Sequence, residues 1–238
     1  MQSKRGRLDR FIARTCQIPL KSVKPLLARG LVSVNGVVAD DGQFMVDEFD
    51  RIDYEDIVLQ DRCPLYFMLH KPVGVVSATR DKQHTTVLDL IDHPAKESLH
   101  IVGRLDLNTS GLVLLTNDGR WSRALTSPDA KVPKRYQVQV QEPMDERYVT
   151  AFAEGFYFEP ENRVTAPVEL ILTSTTTAEL VLTEGKYHQI KRMFGRFRNR
   201  VLALHRSAVG PYELDASLAP GEYKQLVFAT KAIRQAPA

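Results

Sequence analysis

Cysteine is nearly absent: Cys16 and Cys63 are the only two in 238 residues. They stand far apart, with no CxxC spacing and no histidine set beside them, which excludes a disulfide framework and a zinc site and leaves both as packing residues. Long apolar runs are missing as well. None approaches the roughly 20 residues that a membrane-spanning helix needs, and the charged stretch 1–10 leads into no signal-like apolar core. A cytoplasmic protein with no membrane contact is expected. Glycine-rich nucleotide-binding patterns and clusters of metal ligands are lacking too. Net charge is only +3, which alone says little about a nucleic-acid partner.

What is present is a chain 43% hydrophobic, long enough to bury a full core as one large or two modest domains. Its charge is unevenly spread. Residues 1–30 carry eight basic groups (Lys4, Arg5, Arg7, Arg10, Arg14, Lys21, Lys24 and Arg29) against Asp9 alone, whereas 31–60 carry Arg51 against eight acids. Leu8, Phe11 and Ile12 fall at helical spacing, and a second helix is predicted over 22–29, with Ser22 as N-cap, Pro25 in the first turn and Gly30 as terminator. Leu31 to Val34, Asn35-Gly36 and Val37-Val38 read as a hairpin with a tight two-residue turn, and 51–54 as a further strand. Two basic helices followed by RGLVSVNG resemble the S4-type RNA-binding domain, which presents a basic helical face to structured RNA. The apolar pattern lapses over 56–64, so the domains are set at 1–60 and 61–238.

Beyond that boundary 65–69 reads as a strand, 86–90 as the start of a short helix, and Ile101-Val102 and 112–115 as short strands. Residues 120–125 read as a helix and 134–140, alternating apolar and polar, as a strand with one buried face. Val168 to Leu172 and Glu179 to Leu182 form a strand pair around a Thr-rich turn, Pro220 to Tyr223 a last turn, and 234–238 a frayed tail. Strands with few helices between them point to an α+β fold with a mixed, mainly antiparallel sheet.

Between two of those strands lies a loop carrying Arg104 and Asp106, bounded by Gly103 and Gly111. A loop pinned at both ends by sheet is a good place for a chemical side chain. Taken alone, Asp106 reads as a turn cap or as the partner of Arg104. The full run 103–119, GRLDLNTSGLVLLTNDG, closely resembles the signature of pseudouridine synthases, in the branch named for the ribosomal small-subunit enzyme. That resemblance implies Asp106 as catalytic carboxylate. Three more elements match in order. HKPVG (70–74) is similar to the opening element of the catalytic domain, placing Lys71 at RNA or leaving Pro72 and Gly74 to shape a turn. The strand beginning at Lys134-Arg135-Tyr136 matches the motif whose Tyr packs on the target base, here Tyr136. EGKYHQIKRMF (184–194) matches the motif whose basic residue after the HQI triplet pairs with the carboxylate, here Lys191, where many relatives carry Arg.

From Lys186 to Arg206 there are seven basic residues and no acidic one, a run that fits a groove for an RNA backbone, with Tyr187, Phe194 and Phe197 in the core. At Arg198-Asn199 the chain departs from the family, which places Gly at the helix end; Asn199 is expected to take the left-handed turn instead. By the same resemblance Leu204 lines the pocket, and Arg104, Thr109, Lys71, Arg206 and Arg192 lie along the substrate. The implied reaction breaks the ribose C1′–N1 bond, turns the uracil and joins C1′ to C5, with no redox change or hydrolysis. No cofactor and no metal are therefore expected. Asp106 either attacks covalently or takes the C2′ proton. Trp121-Ser122 and the 126–128 run look closer to the 16S enzyme, which implies action on one uridine (the 516-type site) of 16S rRNA or of a partly assembled small subunit; a monomer is the default expectation. The alternatives are a 23S rRNA enzyme of the same branch and a non-catalytic S4-type ribosome-assembly protein.

Overall fold

The computed structural model describes residues 5–228; Lys4 and the tail 234–238 lie outside the described residues. The chain divides into two compact units between Pro64 and Leu65.

In the first unit, α1 (Leu8–Thr15) and α2 (Val23–Ala28) bury Leu8 and Ile12, and Val23 and Leu27, all spaced by one helical turn. They cover the sheet formed by β1 (Val32–Val34), β2 (Val37–Val38), β3 (Ile52–Tyr54) and β4 (Ile57–Gln60), in the order β2-β1-β3-β4. The two-residue turn between β1 and β2 takes positive φ at both Asn35 (53°) and Gly36 (78°), the geometry that matches strand twist. Pro25 sits in the first turn of α2, where a missing N–H costs little. Ser22 makes no side-chain cap, because a 3-10 turn over Leu20–Ser22 runs directly into the helix. Cys16 is half-buried, but Cys63 is exposed, which corrects its assignment to packing.

The second unit is built on a nine-stranded, mainly antiparallel sheet. In chain order its elements are β5 (Tyr66–Lys71), β6 (His100–Val102), β7 (Ser110–Thr116), α3 (Gly119–Thr126), β8 (Lys134–Val140), α4 (Glu146–Glu154), β9 (Glu169–Leu172), β10 (Thr177–Leu182), α5 (Gln189–Gly195), β11 (Val201–Val209), β12 (Tyr212–Glu213) and β13 (Tyr223–Gln225). The sheet order is β9-β10-β8-β11-β7-β5-β13, with β6 on β7 and β12 on β11. The β7–β11 pair is parallel, His205 opposite Ser110 and Arg206 opposite Gly111.

The run Leu112 to Leu115 is apolar without alternation because β7 is covered on both faces. Val113 and Leu115 pack with Phe67, Leu69 and Val87 on one side. Leu112 and Leu114 pack with Met68, Trp121 and Leu125 on the other. A third cluster seats α4 and α5 on β8, through Tyr148, Phe152, Met193 and Phe194 against Val138 and Val140. Asp118 starts α3 by accepting from the N–H groups of Arg120 and Trp121, a cap worth about 1 kcal/mol.

Two local expectations are corrected. Residues 86–90 form a turn, since Asp89 Oδ2 accepts from both the N–H and the hydroxyl of Thr86, and Thr86 bridges to Val76. At the end of α5 the left-handed residue is Arg198 (φ 54°). Asn199 is buried, its amide donating to Glu142 O and Tyr148 Oη while its oxygen accepts from Glu142 N–H. Among the described residues no helix is long and apolar enough to cross a membrane.

Candidate active site

The loop 103–109 leaves β6 and enters β7 with several carbonyls turned inward, and such groups must find donors when buried. Two buried cations supply them. Arg206, 1% exposed, donates from Nε to Leu112 O at 2.9 Å, from Nη2 to Gly103 O at 3.0 Å and from Nη1 to Arg104 O at 3.4 Å. Lys71, fully buried, donates from Nζ to Thr109 O at 2.7 Å, Pro72 O at 2.9 Å and Leu107 O at 3.4 Å. Ser77 Oγ accepts from Leu105 N–H at 3.0 Å, and Gly74 N–H donates to Leu107 O at 2.9 Å. Lys71 and Arg206 were expected along the substrate; they instead brace the loop from beneath.

Burial pushes the Lys71 ammonium down to about 8, against the pull of Asp106 and with the repulsion of Arg206 and Lys191. This value lies below the ordinary 10.5, so from about pH 8 upward the unfolded chain holds more protons and the stability contribution rises with pH. Below that range the burial cost is fully present. Relative to Lys71→Met, the wild type is therefore expected to gain up to about 3 kcal/mol between pH 8 and 10.5 in denaturant titrations. Parallel stability curves for the two proteins would contradict this.

On this platform the Asp106 carboxylate is about one-third exposed. Its Oδ2 lies 3.1 Å from Lys191 Nζ and 3.5 Å from His188 Nε2. Both partners come from the start of α5. His188 precedes the helix in the left-handed conformation (φ 48°), its ring stacked on Tyr187 at 3.8 Å. The buried Gln189 fixes that entry: its Oε1 accepts from Lys186 N–H and its amide donates to Glu184. Oδ1 of Asp106 has no partner among the described residues, so one carboxylate oxygen is anchored and the other is open.

The carboxylate faces a recess of about 70 Å³ whose walls include Arg104, Tyr136, Ile190 and Leu204. Tyr136, on β8, is half-buried and packs against two of the apolar clusters. Thr109 also lines the recess, and its Oγ1 is buried without a hydrogen-bond partner among the described residues. Arg104 is exposed at the rim. Arg192 is not in the recess: it grips Glu161 through two bonds of 2.7 and 2.9 Å and lies 3.6 Å over the Phe158 ring. Tyr187, expected in the core, is 74% exposed. Asp106, Lys191, Tyr136, Leu204, Thr109 and Arg104 are thus brought together, whereas Lys71, Arg206 and Arg192 are committed to the protein itself. His188 and Gln189 stand inside a motif legible in the sequence, yet their contacts arise only from the turn into α5.

A family model described as RNA pseudouridylate synthase matches residues 65–195. The ribosomal small subunit pseudouridine synthase A of Pseudomonas aeruginosa is 49% identical over 221 residues, covering 92% of this chain and 96% of that protein. The protein of the same name from Escherichia coli K12 is 39% identical over 221 residues, again covering 92% and 96%. Among solved structures, a pseudouridylate synthase crystal structure superposes with a TM-score of 0.67 at 38% identity, covering 93% of this chain and 96% of that one.

Proposed function

The chain belongs to the RNA pseudouridylate synthase family, and from that premise we propose that it isomerises one uridine of small-subunit rRNA, the 516-type site, with Asp106 as the catalytic carboxylate. The observation that carries this reading is the half-anchored carboxylate. Lys191 donates to one oxygen, His188 Nε2 lies 3.5 Å from the same atom, and the carboxylate lines a recess walled by Tyr136 and Leu204.

The reaction exchanges a C1′–N1 bond for a C1′–C5 bond. The C5 proton is lost and N1 gains one, so nothing is oxidised and no water is consumed. Such chemistry needs an ionised carboxylate beside the sugar and base, and a nearby cation favours that form. Lys191 supplies the cation as a point charge, without the two-pronged grip an arginine would give. Attack of the free oxygen on C1′ and removal of the C2′ proton both use this carboxylate. The detached uracil must stay in place while it turns, and the ring of Tyr136 with the side chain of Leu204 gives it apolar walls. The orphaned Thr109 hydroxyl and the Arg104 guanidinium supply polar contacts at the same mouth. Presenting the uridine costs a few kcal/mol of unstacking, which phosphate contacts offset.

For residues 1–60 we propose an S4-like RNA-binding role, supported by the exposed Arg10 and Arg14 on α1 and by Lys21, Lys24 and Arg29 around α2. Arg10→Ala/Arg14→Ala is expected to weaken rRNA binding and to flatten the log-affinity against log-salt slope by roughly 1.4 to 1.8. An unchanged slope in a binding titration removes this role. The enzymatic reading is tested by incubating the purified protein with 16S and 23S transcripts and with partly assembled small subunits, then mapping pseudouridine at base resolution. Product at one 16S position is expected. Product only in 23S rRNA would move the target, and no product on any substrate would count against turnover.

A further inference from the structure

Lys191 and Leu204 of the Asp106 recess also line a second, larger cleft of about 670 Å³, between the end of α5, the start of β11 and the loops carrying Val73 and Asn108. No acidic side chain lines it. Arg198 and Arg200 do, and both are exposed and form no ion pair among the described residues. Arg192 and Arg147 of the same unit are instead paired with carboxylates, Glu161 and Asp145. Two large apolar side chains face the same cleft in the open, Val73 at 59% and Leu202 at 54% exposure.

Arg198 is also held where an arginine is least at ease. Its φ of 54° belongs to the left-handed region that glycine enters freely and side-chain-bearing residues rarely do. The next residue offers no relief, since Asn199 is buried and fully engaged by Glu142 and Tyr148. A strained, exposed and unpaired cation at the lip of a cleft is a feature that stability alone does not explain.

Unpaired guanidinium groups beside open apolar surface match the chemistry of an unstacked nucleotide, with a phosphate for the cations and a base face for the apolar side chains. We propose that this cleft is the subsite for the single-stranded nucleotide adjoining the target uridine, with its phosphate on Arg198 and Arg200 and its base against Val73 and Leu202. The proposal rests on the reading of Asp106 as the reacting centre, because the shared Lys191 and Leu204 make the cleft the neighbouring position on the strand.

The decisive variant is Arg198→Gly, which removes the cation and relaxes the backbone together. Its melting temperature is expected to equal or exceed that of the wild type. Its KM for rRNA is expected to rise about 5- to 10-fold, with kcat little changed and the salt slope lower by about 0.7. Arg198→Lys, which keeps the charge, should recover most of the salt slope. A stable Arg198→Gly protein with wild-type KM and salt slope overturns the proposal. An equal fall in salt slope in the Gly and Lys variants overturns it too, because lysine keeps the charge on which a phosphate contact depends. Asp106→Asn run in parallel separates the two claims: product from that variant removes the reading of the centre, whereas its inactivity beside a normal Arg198→Gly protein removes the subsite alone.

Discussion

Asp106→Asn is expected to bind rRNA within about twofold of the wild type and to form pseudouridine at least about 1,000-fold more slowly. The two halves of this result have separate physical sources. Asparagine keeps the size and polarity of the side chain but cannot supply the anionic oxygen on which either route depends. The hydrogen bonds that hold the loop do not use that charge. The loop is braced by Arg206 and Lys71 through its carbonyls, not through the Asp106 side chain. Lys191, 30% exposed, can return to water when its partner is neutralised, and a pair that keeps such access to solvent is worth about 1 kcal/mol. A single-turnover assay with a filter-binding titration separates the terms. Retained product would remove Asp106 from the reaction, and lost binding would make it a structural residue.

Gly111→Ala is expected to cost about 3 kcal/mol or more in stability and to take activity with it. Gly111 lies opposite Arg206 in the parallel ladder and opposite Lys71 on the other side. An added Cβ would sit 2.3 Å from Arg206 O, 2.5 Å from its N and 2.8 Å from its C, at a φ of +113°. All three atoms are backbone, so the ladder must part, and the residue it displaces is the one whose guanidinium holds the Asp106 loop. Gly74→Ala is the internal comparison. Its φ is +85° but no atom lies within 4 Å of the added carbon, so only the conformational penalty of about 1 kcal/mol applies. Denaturant unfolding of both variants checks the difference, and equal costs would show that the contact with Arg206 is not what makes position 111 a glycine.

Local pattern carried much of this fold. The alternation over 134–140 matches β8 end to end, and Asn35-Gly36 marks a true hairpin turn. Where pattern failed, a side chain had taken over a backbone group. Asp89 captures Thr86 and turns a predicted helix into a turn. Asn199 spends its amide on Glu142 and Tyr148, which leaves Arg198 to take the left-handed position. At the site, Asp106, Lys191, Tyr136 and Leu204 were legible because the family motifs carry them. Lys71 and Arg206 were misread because a basic residue in such a motif looks the same whether it reaches a phosphate or a buried carbonyl. Only the three-dimensional course of the loop tells these apart. The contact of His188 with Asp106 is of the same kind, created by one positive φ before α5.

The most direct test of the central claim is base-resolution pseudouridine mapping of both large rRNAs in cells lacking this protein, with the wild-type and Asp106→Asn genes returned in parallel. One 16S position is expected to lose its pseudouridine, to regain it with the wild-type gene and to stay unmodified with the variant. An unchanged map in the deletion strain, or restoration of the position by Asp106→Asn, would contradict it.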